Sequence, residues 1–433
     1  MISRHVLLGA IQLISLLVSL AAQVLVAQRI GPGIELDLYF SSFGFATATV
    51  GGVGVAATYL VPAYIHSGNK EGVSPSIAAG NCILAISLFA LVVGVFSMAI
   101  FIRTILSSEH STSISGYFLV IFFCWISAIT AVSVSVFTAI GVTYNWVEWP
   151  LIFAMSAPLS TLLCLFWFDD MGVVLVAAFQ CIGIIIQLSA LAFLLRKRWF
   201  IKLIYIRSVV KIVTTIPVAM LGAICFSGYS AVDAVLAPLL GAGVLSHQAL
   251  AQRLVIAFGA VVSVGPFMLA PSFISSLVAA SKAKEIWKYL IRTSLIMVTF
   301  GLMASFFIFL FGVLLVQVLF ESGEFYEEDT KAVARTLTYL LVGAGSMLAT
   351  SISFRVLHCL NRKFDVAVIS CLWLAIYAVL GYGLSNKYGA ISLSISYSIA
   401  WVIIFIISIV TVRYHLYFTM GNNVKLQNQV GKL

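Results

Sequence analysis

Long apolar stretches follow one another along the whole 433-residue chain, and they constrain the fold more than any short motif does. A helix needs about 20 mainly apolar residues to cross the ~30 Å hydrocarbon core of a membrane. Only 9% of the residues are charged, against about 25% in soluble domains, so no sizeable soluble domain remains. The sequence predicts twelve spans, at 6–30, 38–65, 77–105, 114–141, 148–168, 171–195, 209–240, 244–280, 286–320, 331–358, 364–385 and 389–416. The expected fold is therefore an all-α, multi-pass membrane protein.

The positions of the basic residues predict which side of the membrane each loop faces. Lys and Arg accumulate in cytoplasmic loops of membrane proteins. With the N-terminus inside, most of the 24 basic residues fall on the cytoplasmic side, and an acidic run at 321–329 falls outside. Both termini are therefore predicted to be cytoplasmic. A net charge of +9 could indicate nucleic-acid binding, but the positions of the basic residues follow the predicted membrane topology instead. We therefore expect membrane lipids as partners and no nucleic acid.

Two pairs of similar segments relate the halves of the chain. The segment AQRIGPGI begins at Ala27 and matches APLLGAGV at Ala237, and LVPAYIHS at Leu60 matches LAPSFISS at Leu269. Both pairs have nearly the same offset, which corresponds to six predicted spans. The halves are therefore predicted to be parallel repeats, related by an axis along the membrane normal, with substrate bound near the midplane at the repeat interface.

The repeat predicts a division of the chain into two six-helix lobes, 1–198 and 212–418. The connection at 199–211 continues a stretch in which basic and aromatic residues alternate, RKRWFIKLIYIRSVVK. Such a segment is typical of an amphipathic helix on an anionic inner leaflet. A cytoplasmic tail is expected at 419–433.

Each repeat opens with a hairpin that bends at a Gly-x-Gly sequence, formed by Gly31 and Gly33 in the first half and by Gly241 and Gly243 in the second. Glycine permits the backbone conformations that a tight turn needs. We expect these hairpins, with Asp37, to form an outer gate. Alternatively, Asp37 caps its own helix, because a carboxylate is stabilised by the N–H groups at a helix N-terminus.

Arg253 is the one basic residue that the sequence places deep within a span. It lies about ten residues past Gly243, or roughly 15 Å along a helix, near the middle of the hydrocarbon core. A guanidinium at this depth normally faces a water-filled cavity or a partner. The alternative is that its long side chain reaches the headgroups. The first interpretation makes Arg253 a candidate substrate-binding residue.

Asp233 is the second ionisable residue within a predicted span. It can pair with Arg253 inside the bundle or bind a coupling cation, Na⁺ or H⁺. Gln23 occupies the matching point of the first repeat, and Gln252 precedes Arg253. Polar groups at these points suit a shared central cavity, so both glutamines are candidate substrate contacts.

Catalytic motifs are absent from the sequence. The six histidines are scattered, no Walker A sequence occurs, and the seven cysteines have no metal-binding spacing. The predicted outer loops are too short for a catalytic domain. These observations argue against an enzyme, and no metal or organic cofactor is expected.

Three segments carry a resemblance to a known family: AQRIGPGIELDLYFSSF, VLAPLLGAGVLSHQALAQRLV and LFESGEFYEEDTKAVARTLTYLLVGAG. The sequence resembles the MurJ/MviN lipid II flippases of the multidrug/oligosaccharidyl-lipid/polysaccharide (MOP) exporter superfamily. The resemblance implies two six-helix lobes, alternating access and a lipid-linked sugar diphosphate as cargo. It also implies that the family's gate aspartate falls on Asp37 and that the aspartate which binds sodium in some members falls on Asp233.

The chain departs from the family pattern at charged positions. The family's Asp-Arg pair falls on Gln252 and Arg253, so only the arginine is present. Three further cations of the family fall on Leu16, on Ala22 and near Val50. Some family members also have fourteen helices, whereas twelve are predicted here. These departures favour a cargo other than lipid II, such as an O-antigen, capsule or exopolysaccharide unit.

Three functional hypotheses follow for a protein of the bacterial inner (plasma) membrane. The first is a flippase for a polyprenyl-diphosphate-linked oligosaccharide, either a peptidoglycan precursor or another glycan unit. The second is a cation-coupled exporter of small amphiphiles, and the third is a non-transporting scaffold of a glycan assembly complex. Glycan assembly enzymes are candidate partners, and a monomer is expected.

Overall fold

The computed structural model describes residues 2–70, 74–106, 114–144, 146, 148–168, 172–199, 217, 220–222, 224–225, 228–280, 282–360 and 362–420. The helices before residue 200 are α1 (Ile2–Ile30), α2 (Ile34–Lys70), α3 (Pro75–Leu106), α4 (Ile114–Thr143), α5 (Glu148–Phe153), α6 (Ser156–Trp167) and α7 (Val173–Leu194). They are followed by α8 (Tyr229–Leu236), α9 (Val244–Ala279), α10 (Ala283–Phe320), α11 (Glu327–Cys359), α12 (Lys363–Tyr388) and α13 (Ser392–His415). Short 3₁₀ turns at Ala237–Leu240 and Gly389–Ile391 precede α9 and α13.

Most of the described helices belong to stretches with the length and apolarity of membrane spans. Among the described residues, nine stretches meet both criteria, and the last of them, Lys363–Phe418, contains both α12 and α13. No strand occurs within the described ranges. The all-α, multi-pass fold is therefore confirmed, while the count of twelve and the cytoplasmic termini stay predictions.

The predicted span at 148–168 is confirmed as the apolar stretch Glu148–Trp167, but a two-residue turn at Ala154 and Met155 divides its helix into α5 and α6. Pro158 lacks an N–H group, and its ring disfavours a helical carbonyl four residues earlier, at Ala154. The Ser156 hydroxyl donates to the carbonyl oxygens of Phe153 at 2.7 Å and Gly183 at 2.8 Å. The break therefore lies where a proline interrupts the helix and a serine hydroxyl bonds to the last carbonyl of α5 and to a carbonyl of α7.

Two other predicted segments fall largely outside the described residues. Of the span at 209–240, the continuous described part begins at Gly228 and includes α8 and the 3₁₀ turn. The linker at 199–211 is described only at Trp199, and the tail at 419–433 only as far as Met420. Their predicted roles stay predictions.

The chain forms two compact units by proximity of Cα atoms. Unit 1 comprises Met1–His247 with Leu319–Asp329, and unit 2 comprises Gln248–Val318 with Thr330–Leu433. The boundary falls inside α9, so one continuous helix contributes to both units. The predicted lobes end beside the undescribed linker, and they stay a prediction.

In unit 2, close backbone contact joins α10 to α11 and aromatic packing joins α12 to α13. A Cβ atom placed on Gly345 would lie 2.7 Å from the Met297 carbonyl oxygen, so only glycine fits there without displacement. In the second pair, Trp373 and Trp401 are both buried, with ring centroids 4.7 Å apart. Small residues at helix contacts are a common solution in membranes, where no hydrophobic force drives helices together.

We expect Gly345→Ala to lower the apparent Tm of the purified protein. Overpacking a well-packed contact typically costs about 1–3 kcal/mol, and here the new methyl group would meet a backbone oxygen. The measurement is thermal unfolding in detergent. Gly383→Ala is the matched control, because nothing lies within 4 Å of a Cβ atom at Gly383. Equal Tm values for the two variants would contradict the contact.

Candidate functional site

Three segments of unit 1 meet in an arrangement that we call the outer seal. They are the first hairpin, Gly31–Asp37, the second hairpin, Gly241–His247, and the connecting loop Leu319–Asp329 between α10 and α11. All three lie on the side of the membrane that the charge distribution predicts to be external. The seal therefore joins segments that are separated by up to about 300 positions of sequence.

The carboxylate of Asp37 caps the N-terminus of α9. Its Oδ2 accepts the N–H of Gly243 at 2.7 Å, and its Oδ1 accepts the N–H and the hydroxyl of Ser246 at 2.7 and 2.5 Å. The side chain is 8% exposed. The first N–H groups of a helix have no partner within the helix, and the positive end of the helix dipole favours an anion there. Asp37 therefore satisfies donors at the start of α9 from its place in the first turn of α2.

Glycine is required at the turns that make this contact. Gly241 and Gly243 have φ angles of 132° and 81°, in a region that residues with a Cβ atom rarely adopt. Gly31 has φ 72°, and a Cβ atom on it would lie 2.6 Å from the Glu324 carbonyl oxygen. Gly33 differs, because its φ is not positive and a Cβ atom there would meet nothing within 4 Å.

The connecting loop packs on the C-terminal end of α1. The Gln28 carbonyl oxygen accepts the N–H of Glu324 at 2.8 Å, and the Gln28 side-chain amide donates to the carbonyl oxygen of Leu319 at 3.1 Å. Gly323 has φ 62°, and a Cβ atom on it would collide with the Gln28 carbonyl oxygen. The glycine in the LFESGEF sequence therefore lets the loop backbone approach α1.

His247 and Asp329 connect the second hairpin to the same loop. His247 Nε2 lies 2.8 Å from Asp329 Oδ1, and both side chains are mostly buried. Asp329 Oδ2 accepts the N–H of Tyr326 at 3.1 Å, which is one of the two hydrogen bonds of a capping box, at the start of α11. The Tyr326 hydroxyl donates to Glu324 Oε2 at 3.0 Å, and this carboxylate raises the pKa of the Tyr326 phenol.

Sequence reasoning singled out Asp37 and the hairpin glycines but missed the groups that hold them. Ser246, His247, Gln28 and Asp329 were not among the predicted residues. His247 carried a signal, because it stands four residues after the second glycine of its hairpin, as Asp37 does in the first repeat. The roles of these residues in gating stay predictions.

Asp233 and Gln23 lie in the interior of unit 1. The side chain of Asp233, in α8, is 2% exposed. Gln23, in α1, has a buried Oε1 atom that accepts no hydrogen bond from the described residues. A buried carbonyl oxygen without a donor is costly, so Gln23 marks a polar point in an otherwise apolar helix.

Arg253 and Gln252 follow the capped end of α9 and belong to unit 2. Both side chains are partly exposed. Within the described part of unit 2, the Arg253 guanidinium forms no ion pair or hydrogen bond. Asp233 and Arg253 belong to different compact units, so their pairing stays a prediction.

The fold is that of the transporters of the MOP superfamily. It is similar to the solved structure of the lipid II flippase MurJ in its inward closed conformation, with a TM-score of 0.77 and 19% identity over 98% of this chain and 92% of that chain. An inward-facing multidrug resistance MATE family transporter has a TM-score of 0.75 and 14% identity over 96% and 99% of the two chains. A mutant of the Vibrio cholerae MATE transporter VcmN has a TM-score of 0.66 and 17% identity over 96% and 98%.

The family is established by sequence. The family model of the lipid II flippase MurJ matches residues 26–430, so the chain belongs to the MurJ lipid II flippase family. The protein is therefore a multi-pass membrane transporter and not an enzyme. A search of curated protein sequences finds no match.

We expect Asp37→Asn to loosen the cap of α9. The asparagine amide group cannot accept the second backbone N–H, and the remaining bond loses its charge assistance. Hydrogen bonds to charged groups contribute about 1.5–3 kcal/mol, so amide hydrogen exchange at 243–247 should accelerate about tenfold or more. Mass spectrometry of the exchanged peptides measures this change.

The matched control for this test is Glu35→Gln, which removes an exposed carboxylate from the same first turn of α2. Exchange at 243–247 should stay at the wild-type rate in this variant. Acceleration in both variants, or in neither, would contradict a specific cap by Asp37.

Proposed function

We propose that the protein moves a polyprenyl-diphosphate-linked oligosaccharide across the bacterial inner membrane by alternating access. The observation that carries the mechanism is the cap formed by Asp37, which joins the opening hairpins of both repeats on the predicted outer side. A few charge-assisted hydrogen bonds to a helix terminus can break and reform without disrupting a packed core. A barrier of this kind suits a transporter that opens and closes once in each cycle.

Arg253 is the proposed ligand of the cargo diphosphate. A diphosphate crosses a region where isolated charge is strongly disfavoured, so its path needs a positive group near the midplane. The partly exposed guanidinium presents planar pairs of N–H donors that match phosphate oxygens. Gln252 and Gln23 are proposed to supply neutral polar contacts along the same path.

The proposed cargo is a glycan lipid other than lipid II. The family that this sequence resembles has cationic residues at two positions that correspond to Ala22 and to a residue near Val50. In this chain Ala22 and Val50 lie in the packed interior of unit 1, with 2% and 0% exposure. These positions offer neither charge nor room for a long side chain. A cargo head that needs fewer cationic contacts, such as an O-antigen, capsule or exopolysaccharide unit, fits this arrangement better.

Asp233 is the proposed coupling group, binding Na⁺ or H⁺. It is a carboxylate at 2% exposure in α8, and an ionisable residue buried within a predicted membrane span is a candidate for ion coupling. If this role is right, Asp233→Asn should express normally and lose the dependence of transport on the ion gradient. Transport with an unchanged ion response in Asp233→Asn would remove this residue from coupling. The comparison is made in vesicles with imposed sodium or proton gradients.

For Arg253 we expect transport activity to fall in the order wild type, Arg253→Lys, Arg253→Ala at equal protein levels. Lysine keeps the charge and loses the bidentate geometry, whereas alanine loses both. The loss in Arg253→Ala should be at least about tenfold, given about 1.5–3 kcal/mol for each charge-assisted hydrogen bond. The assay measures translocation of a lipid-linked oligosaccharide in proteoliposomes.

Arg362→Ala serves as the control for this series, because Arg362 is an exposed arginine at the start of α12. It should transport at the wild-type rate. Full activity of a well-expressed Arg253→Ala protein would contradict the proposed phosphate contact.

A cation-coupled exporter of small amphiphiles is the second candidate. The buried carboxylate of Asp233 favours it, since such a group serves ion coupling whatever the cargo is. Restored growth of a strain that lacks its glycan flippase supports the glycan cargo. Drug efflux that depends on Asp233, without such restoration, supports the exporter.

A further inference from the structure

A basic cavity of about 520 Å³ lies at the C-terminal end of α7, in unit 1. The charge distribution predicts that this end faces the cytoplasm. The residues that line it are Trp146, Phe193, Leu194, Arg196, Lys197 and Arg198. None of them belongs to the outer seal or to the proposed cargo contacts, so the cavity needs its own explanation.

The walls of the cavity are held by backbone hydrogen bonds. The N–H of Arg198 donates to the Leu195 carbonyl oxygen at 2.7 Å, which closes the turn after α7. Leu195 is 1% exposed and anchors this turn in the interior. On the other side, the N–H of Trp146 donates to the Gly141 carbonyl oxygen at 2.8 Å. The turn and the loop after α4 are thus fixed by local structure.

Aromatic rings orient the two arginines. The Cζ atom of Arg196 lies 4.4 Å from the ring centroid of Phe193. The Cζ atom of Arg198 lies 4.8 Å from the ring centroid of Tyr144 and 6.0 Å from that of Trp146. When a guanidinium stacks on an aromatic ring, the flat face of the guanidinium contacts the ring. Its N–H groups point outward in the guanidinium plane and stay available for oxygen acceptors.

The charges in this cavity are not balanced within the described structure. None of the described residues that line the cavity is a carboxylate, and none of its three basic residues forms an ion pair with another described residue. Three adjacent positive charges beside a concave surface attract and concentrate anions. Phosphate is the anion whose geometry suits paired guanidinium N–H donors.

The surroundings of the cavity are those of a membrane interface. Tryptophan is enriched at the level of the lipid headgroups, and Trp146 lines the cavity while Trp199 follows it. Trp199 packs edge-on against Phe137, with ring centroids 5.7 Å apart. Phe193 and Leu194 give the cavity an apolar side, which an acyl chain can contact and a free phosphate ion cannot use.

From these observations we infer that the cavity binds the phosphate headgroup of an anionic phospholipid of the inner leaflet. Arg196 and Arg198 hold the phosphate oxygens, and Lys197 adds charge at the rim. Basic cavities at the cytoplasmic ends of membrane helices recognise anionic headgroups in this way. The site does not depend on which cargo the protein carries.

The test compares lipid binding by two variants of equal net charge. The first is the triple change Arg196→Gln, Lys197→Gln and Arg198→Gln, and the second is Lys284→Gln, Lys288→Gln and Arg362→Gln, three exposed basic residues elsewhere on the predicted inner side. The probes are phosphatidylglycerol and phosphatidylcholine, titrated into the full-length protein in detergent and followed by native mass spectrometry. The apparent Kd for phosphatidylglycerol should rise about tenfold or more in the first variant and less than about twofold in the second.

A double variant, Arg196→Lys with Arg198→Lys, keeps the charge and the expression of the wild type while removing the planar donors. We expect it to bind phosphatidylglycerol with intermediate affinity. Binding equal to that of the wild type would show that charge alone matters, and it would overturn the oriented-arginine site. Equal losses in the cavity variant and the matched control would overturn it as well.

Two further probes, inorganic phosphate and a polyprenyl diphosphate, distinguish the source of the phosphate. If only polyprenyl diphosphate binding falls in the cavity variant, the site belongs to the cargo and the phospholipid assignment is wrong. If only inorganic phosphate binding falls, the cavity takes a soluble ion, and the assignment is again wrong. Selective loss of phosphatidylglycerol, with Arg253→Ala binding this lipid like the wild type, supports the inference.

Discussion

The free N–H groups at the start of α9 impose the constraint on which the outer seal depends. Backbone donors at a helix terminus need partners, and at the edge of a membrane water is not always available to supply them. Asp37 provides two acceptors from the other repeat, and Ser246 adds a hydroxyl to the same carboxylate. In the transport cycle that we propose, the predicted outer side is closed where the first hairpin and the start of α9 meet.

This dependence links opening of the seal to hydration. When Asp37 moves away, the N–H groups of Gly243 and Ser246 and the carboxylate itself all require water or other partners. Opening without water entry would leave several polar groups unsatisfied at once. The capped helix α9 is also the helix that contains Arg253, the residue that we propose to bind cargo.

Much of the fold could be predicted from the sequence, and less of the site. Apolar length predicts membrane helices because the bilayer imposes a thickness, and Gly241 and Gly243 were predictable because their turns exclude other residues. The break before Ser156 was missed, although Pro158 marked it, because the apolar stretch continues across it. The partners of Asp37 and His247 could not be predicted, since Ser246 and Asp329 become neighbours only after folding.

The two hairpins are no longer equivalent, although they stand at corresponding places in the repeats. Where the first carries Asp37, the second carries His247, whose Nε2 pairs with Asp329 Oδ1 at 2.8 Å. Two aspartates at these places would bring like charges together, whereas an aspartate and a histidine can each find a complementary neighbour. The two predicted repeats thus carry distinct chemistries at this place, one that caps a helix end and one that fixes a loop. A chimera built from two copies of one predicted half would therefore lack either the carboxylate that caps α9 or the histidine that pairs with Asp329.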